Sequence, residues 1–277
     1  MSFAPGHVSL TFAIHKHNDP IKMGSTGLGI VLPQGVYCSI VTDNREKERN
    51  IVIVDNKIIE DPVVTRAIEL LGYGNKGLTV YLRRDLPIGA GFGISGASAL
   101  AACLELEKNL EKCTLAAHQA EIEYSSGLGD VVAISSALAK GDFPLIVERK
   151  VPGALGKTRT FSVDSKLVVC VSGIGRNTSE IISSPEWSEI INVVSSSLQV
   201  TEYDIRSVLK IGRIFTEKAG LINESLVEML DSIPIGAVSS IAHLGTSIIA
   251  VSDNVEELSE SLETVSYTHL TLPTIRL

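Results

Sequence analysis

The chain has 277 residues, 44% hydrophobic and 20% charged, with 24 basic against 32 acidic side chains and a formal charge of −8. That is enough apolar chain for one large domain or two modest ones sharing a core, and it excludes general disorder. The acidic balance offers no basic surplus for nucleic acid, and no run of about 18 apolar residues suits a membrane.

In chain order, Val8 to Ile14 reads as a strand, and a Gly-rich turn over 24–29 leads into Ile30-Val-Leu. Val36 to Val41 and Ile51 to Val54 are further strands by their β-branched content, separated by a charged loop. Asp61-Pro62 opens a helix to about Leu71, with Pro62 at its first position. A strand over Leu78–Arg83 ends at Leu86-Pro87. Helices follow over Ser95 to Leu110, Thr114 to Ser125 and Asp130 to Lys140. Phe143–Val147 and Thr160–Val163 suggest a hairpin, and Lys166–Val171 a buried strand. Helices are expected near 179–197, 203–219, 223–231 and 236–243, with a strand at Ser247–Val251 and an acidic helix over 255–264. Strands cluster early and helices late, so the fold class is α+β. The expected division is 1–157 and 158–264, with the boundary in the 155–165 region. Residues 265–274, read back into codons, resemble a translated sequencing-library adaptor, so 265–277 is expected to be a non-native tail in place of the native C-terminus.

The four cysteines (Cys38, Cys103, Cys113 and Cys170) show no CxxC spacing, which argues against structural zinc and for a reducing compartment. With no basic-then-apolar leader, the chain reads as a cytoplasmic protein.

The segment carrying most chemistry is LPIGAGFGISGASAL over 86–100. Gly89, Gly91 and Gly93 alternate, so the backbone can turn tightly and approach a ligand without Cβ interference. Ser95 or Ser98 then opens an Ala/Leu-rich helix, and loop amides with a helix N-terminus form a cradle for phosphate. No Gly-Lys-Ser/Thr follows, which excludes a Walker loop, and the acidic residue of a dinucleotide fold would fall inside a helix. In AAHQAEIEYSSGLGDVVA over 116–133, His118 and Glu121 share a helix face. The Gly127–Gly129 turn presents Asp130 at the next helix start, where an ionised carboxylate is favoured and could accept a proton. Glu121 could supply an oxygen to Mg²⁺, which needs few protein ligands beside phosphates. Taken singly, Asp130 also reads as a helix cap and Glu121 as a solvent-facing residue.

The 87–99 segment resembles the second signature of the GHMP kinases, PxxxGLGSSAA, with Phe92, Ile94 and Gly96 as departures. APGHV at 4–8 resembles their first signature, with His7 in place of lysine. The finer similarity, over residues 3 to 255, is to the archaeal pantoate kinase branch: PGH, GSTGLG at 24–29, GAGFGISGASAL at 89–100 and GLGDVVA at 127–133. Weaker blocks lie at 149–153, 174–178 and 244–250. The resemblance implies a two-lobed fold with the active site between the lobes, and ATP-dependent phosphorylation of pantoate towards coenzyme A. It implies ATP phosphates on Pro87, Gly89, Gly91, Gly93, Ser95, Gly96 and Ser98, Mg²⁺ on Ser95 and Glu121, and Asp130 as the base. His118, Arg149 and Thr178 match substrate-site positions. Arg149 offers a planar fork for a carboxylate, although an insertion over 137–144 precedes it. The third signature is reduced to Leu244-Gly245-Thr246. His7 in place of lysine makes any help to the nucleotide pH-dependent. A homodimer is implied by the family alone.

Three readings compete with this one: a GHMP kinase acting on mevalonate, homoserine or shikimate, a non-catalytic nucleotide-binding regulator, and a truncated chain that folds poorly.

Overall fold

In the computed structural model of the protein, which describes residues 1–42, 49–171, 178–222, 224–263 and 268–272, the organising element is β3, Gly24–Thr42. Its Gly24–Gly29 end was expected to be a turn, but it continues the strand. The reason is pairing: β1 (Ser2–Ser9) runs antiparallel along one edge of β3, and β2 (Ala13–His15) pairs with its start. The single strand expected over 8–14 is therefore two, broken after Ser9.

The other edge of β3 carries β6 (Leu78–Arg84) towards its C-terminal end and β7 (Leu145–Arg149) towards its N-terminal end. β4 (Ile51–Val54), β5 (Lys57–Ile59) and β8 (Thr158–Ser162) complete this sheet, in the order β5-β4-β6-β3-β7-β8. Because β8 pairs with β7, the first sheet continues past the boundary drawn at 157/158.

Two helices, α2 (Ile94–Leu106) and α4 (Asp130–Lys140), pack on this sheet, and α1 (Pro62–Ile68) and α3 (Leu110–Glu123) pack against α2. Asp61 caps α1 by accepting from the Val64 amide at 3.1 Å, as Pro62 at the first position invites. α2 starts before either serine, because Gly93 at φ 60° is its N-cap and no side chain caps it. Asn109 caps α3, which fixes its start four residues before the expected Thr114.

The C-terminal sheet is β10 (Val238–Ala242), β11 (Ser247–Val251), β9 (Leu167–Val171) and β12 (Thr268–Leu272), all antiparallel. A helix was expected over 236–243. The Val238–Ala242 run instead pairs with β11 across a tight turn, and that pairing outweighs a weak local preference. The helix expected over 179–197 is two, α5 (Thr178–Ser183) and α6 (Pro185–Ser197), because Ser184-Pro185 ends one and starts the next. Next come α7 (Ile205–Ala219), α8 (Glu224–Asp231) and α9 (Val255–Glu263). β12 lies in the tail expected to be foreign; a Thr/Leu-rich run will add to any open sheet edge, so its pairing does not bear on its origin.

One core joins the lobes. Val169, Ile249 and Val251 share a cluster with Leu10, Leu28 and Leu100, whereas Val168, Ile248 and Ala250 turn outward to Leu226, Met229 and Leu258. That alternation is the period-two face of a strand. It seats the second lobe on the first with the glycine loop at the join. Cys38, Cys103 and Cys113 are buried free thiols.

Candidate active site

The 87–93 loop is built for close approach. Gly89, Gly91 and Gly93 have φ of 79°, 93° and 60°, values that L side chains rarely adopt. The turn after β10 lies against it: a Cβ on Gly245 would come 2.1 Å from the Ala90 carbonyl, and Ser247 Oγ donates to that carbonyl at 2.7 Å. The second lobe thus clamps the loop that precedes α2.

A cavity of about 390 Å³ opens beside the loop, walled by Gly89, Gly91, Gly93 and Ser95 on one side and Glu121 and Ser126–Asp130 on the other. Ser9, Phe12, Ser25, Ser179, His243 and Leu244 also line it. A wider cleft of about 840 Å³ lies over β4, β5 and α1, and Tyr124 forms part of both.

Asp130 opens α4 into this cavity with its side chain 21% exposed. Its Oδ1 accepts from His7 Nδ1 at 2.6 Å. Burial pulls the carboxyl upward, but the hydrogen bond from His7, with the Arg149 guanidinium behind it, outweighs this and leaves Asp130 below the usual aspartate range. His7 is fully buried, and its backbone N–H donates to the Phe92 carbonyl of the glycine loop at 2.8 Å. A register shift in β1 between Pro5 and His7 aims the ring there. His7 is thus turned to Asp130 and is not among the residues that line the cavity.

Glu121 is 1% exposed, and neither carboxylate oxygen has a hydrogen bond of full geometry. Burial, and then repulsion from Asp130, raise it well above the ordinary glutamate range; the nearby Val131 amide and Ser126 hydroxyl only temper this. Space for the carboxylate comes from missing side chains, since a Cβ on Gly96 or Gly127 would lie 2.8 or 2.6 Å from it. A buried carboxylate without a partner, in a cavity wall that also carries Ser95, is a donor set suited to a hard cation such as Mg²⁺ whose other ligands come from phosphate.

The other expected site residues scatter. Gly96 is buried beside Glu121, and Pro87 is exposed outside the cavity wall. Ser98 is buried away from the wall, donating to the Ile94 carbonyl at 2.7 Å and accepting from Arg84 at 3.2 Å. His118 is buried against the 19–23 turn, where Nε2 donates to the Met23 carbonyl at 2.8 Å; burial holds its ring below the usual histidine range. Reaching a ligand from there would require that turn to move. Arg149 is 2% exposed and sits behind the wall, with its guanidinium turned to His7 and Ser9. The Thr178 side chain and residues 174–177 lie outside what the structure describes. Ser9, Ser25 and His243 were not expected at the site; Ser25 belongs to the GSTGLG run, and His243 directly precedes the reduced third signature.

Residues 62–137 match the GHMP kinases N terminal domain model. The chain is 28% identical over 270 residues to a protein named pantoate kinase from Methanocaldococcus jannaschii, covering 94% of this chain and 95% of that one. It is 29% identical over 283 residues to a pantoate kinase from Thermococcus kodakarensis, covering 94% and 90%. A structure described as a phosphotransferase related to the CoA biosynthesis pathway matches with TM-score 0.73 and 24% identity, covering 99% and 96%. Mevalonate kinase from L. major in complex with R-mevalonate matches with TM-score 0.62 and 14% identity, covering 99% and 96%. Residues 62–137 thus resemble a GHMP kinase N-terminal domain, the fold is shared with the solved phosphotransferase and mevalonate kinase, and the chain is similar over most of its length to archaeal proteins named pantoate kinase.

Proposed function

We propose that the protein transfers the γ-phosphoryl group of ATP to the hydroxyl of pantoate that gives 4-phosphopantoate. The observation that carries this reading is Asp130: a carboxylate kept ionised by His7, opening into a cavity floored by a glycine loop and an uncapped helix N-terminus. The acceptor is assigned from the pantoate kinases that align with nearly the whole chain.

The loop amides and the start of α2 would receive the phosphates, since oriented N–H groups at a helix N-terminus favour anions. The cleft that shares Tyr124 with the cavity gives the rest of the nucleotide room to extend over β4, β5 and α1. Glu121 and Ser95 would hold Mg²⁺, which when bound offsets the negative charge of the phosphates. Ser9 and Ser25, with the Arg149 guanidinium behind Ser9, offer hydrogen bonds and positive potential to the pantoate carboxylate.

Asp130 takes the acceptor hydroxyl proton as the new O–P bond forms and the bond to the β-bridging oxygen breaks. ADP leaves and no covalent protein intermediate is formed. Such transfers depend chiefly on positioning and charge stabilisation.

The test is ADP release with Mg-ATP and, separately, pantoate, pantothenate, mevalonate, homoserine and shikimate. Turnover with pantoate alone is expected. Turnover with another acceptor would keep the phosphate site and discard the assigned substrate. ATP binding without turnover on any acceptor would favour a nucleotide-binding regulator.

A further inference from the structure

Arg149 carries a buried charge with no carboxylate hydrogen-bonded to it among the described residues. Its Nη1 donates to His7 Nε2 at 3.2 Å, its Nη2 reaches Ser9 Oγ at 3.5 Å, and its Nε has no hydrogen bond. A guanidinium has donors only, so His7 Nε2 presents its lone pair. A neutral imidazole has a single N–H, which then sits on Nδ1 and points at Asp130 Oδ1, 2.6 Å away. The other two states fail on the same geometry. With the proton on Nε2, an N–H would face the guanidinium and a lone pair would face the carboxylate. An imidazolium would set two buried cations side by side.

The backbone holds the ring in place. Its own N–H is tied to Phe92, and β3 passes so close that a Cβ on Gly29 would lie 2.0 Å from Nε2. The charged groups acting on the ring are Asp130 from α4 and Arg149 from β7, while β3 and α2 bring none that acts on it. Glu121 from α3 acts on Asp130 in turn.

We propose that Arg149 acts on Asp130 through His7: the arginine fixes the neutral Nδ1–H tautomer, which transmits its charge and pins Oδ1, leaving the second carboxylate oxygen for the acceptor hydroxyl. His7 is thus a positioning residue. Its catalytic consequence rests on the reading of Asp130 as the base, whereas the tautomer does not.

The direct measurement is ¹⁵N NMR of the histidine rings in the full chain without nucleotide, with His7 assigned by its loss in His7→Gln. A pyrrole-type Nδ1 and a pyridine-type Nε2 at neutral pH are expected; the reverse pattern, or two protonated nitrogens, overturns the proposal. Two variants then separate the two ring positions. His7→Asn places an amide near Nδ1 and can still donate to Asp130, whereas His7→Gln places one near Nε2 and cannot. His7→Gln is expected to lower kcat by about 10²-fold with KM for ATP nearly unchanged, and to move the acid limb of kcat to higher pH. His7→Asn should recover about tenfold or more of that loss. Equal rates and an unshifted limb in both variants would refute the positioning role. A wild-type chain with the expected tautomer that released no ADP with any acceptor would overturn the kinase reading and leave the tautomer standing.

Discussion

Glu121 and Asp130 wall the same cavity from successive helices, yet their surroundings push their pKa values in opposite directions. Asp130 receives a hydrogen bond from His7 at 2.6 Å and stays below the usual aspartate range. Glu121 has neither a full hydrogen bond nor a cation beside it, and burial lifts it well above the usual glutamate range. Two carboxyl groups pushed apart in this way suit the different roles proposed for them, Asp130 as proton acceptor and Glu121 as a ligand for a cation.

Replacing Asp130 with asparagine removes the proton acceptor and leaves the shape of the cavity. The expected result is a fall in kcat of about 10² to 10⁴, the range of a general base, with ATP binding retained. Single-turnover kinetics beside nucleotide titration would show this. Near-normal turnover would remove Asp130 from the mechanism.

Glu121→Gln should separate metal binding from folding. The folded-state pKa of Glu121 is raised, so ionising it costs stability as the pH rises above its unfolded value. The metal-free variant is therefore expected to melt higher than wild type at pH 7, with the gap closing as pH falls to about 4. The stabilisation that Mg-ATP confers on the wild type should be largely lost. Melting curves with and without Mg-ATP read both effects.

His243 gives an acid-linked prediction. It is buried between Phe12 and Phe215, Nε2 donates to the Leu10 carbonyl, and burial lowers its pKa to about 4. A histidine with a depressed folded pKa contributes stability above its unfolded value of about 6.5, and that stability is lost as pH falls towards 4. The loss is on the order of 3 kcal/mol at the bottom of this window. Urea unfolding of wild type and His243→Gln at pH 7 and pH 4 should show a smaller acid loss in the variant.

Gly245→Ala tests the clamp on the glycine loop. A Cβ there would lie 2.1 Å from the Ala90 carbonyl, so either the turn or the loop must shift. KM for ATP is expected to rise several-fold, with a stability loss of about 1–3 kcal/mol from the overpacked contact. An unchanged KM alongside a lower melting temperature would confine the clamp to a structural role.

Much of the cavity was legible in the sequence because it is local. The glycine loop, the start of α2 and the Glu121-to-Asp130 turn each lie within a few residues, and turn chemistry and helix spacing report such features directly. Pairing across the fold was not legible. Nothing around His7 announces Asp130 or Arg149, because the contact depends on the β1 register shift and on β7 lying beside β3. The same reason explains Arg149 and His118: their residue types suit a ligand, but their direction is set by distant strands and turns. β10 was misread because five residues of Val, Ser, Ile and Ala carry weak local preference, and only the antiparallel partner β11 decides the outcome. Gly24–Gly29 was misread because its glycines serve close approach within a strand, not a turn: Gly24 to Gly153 and Leu128, Gly27 to Thr11 and Phe12, and Gly29 to His7 and Val8 of β1.

The most direct test of the account is ³¹P NMR of a reaction containing the purified chain, Mg-ATP and pantoate. A phosphomonoester resonance that grows in step with ADP, and disappears with Asp130→Asn, is the predicted result. ADP appearing only with inorganic phosphate, or no ADP from folded protein that binds ATP, would contradict transfer to pantoate.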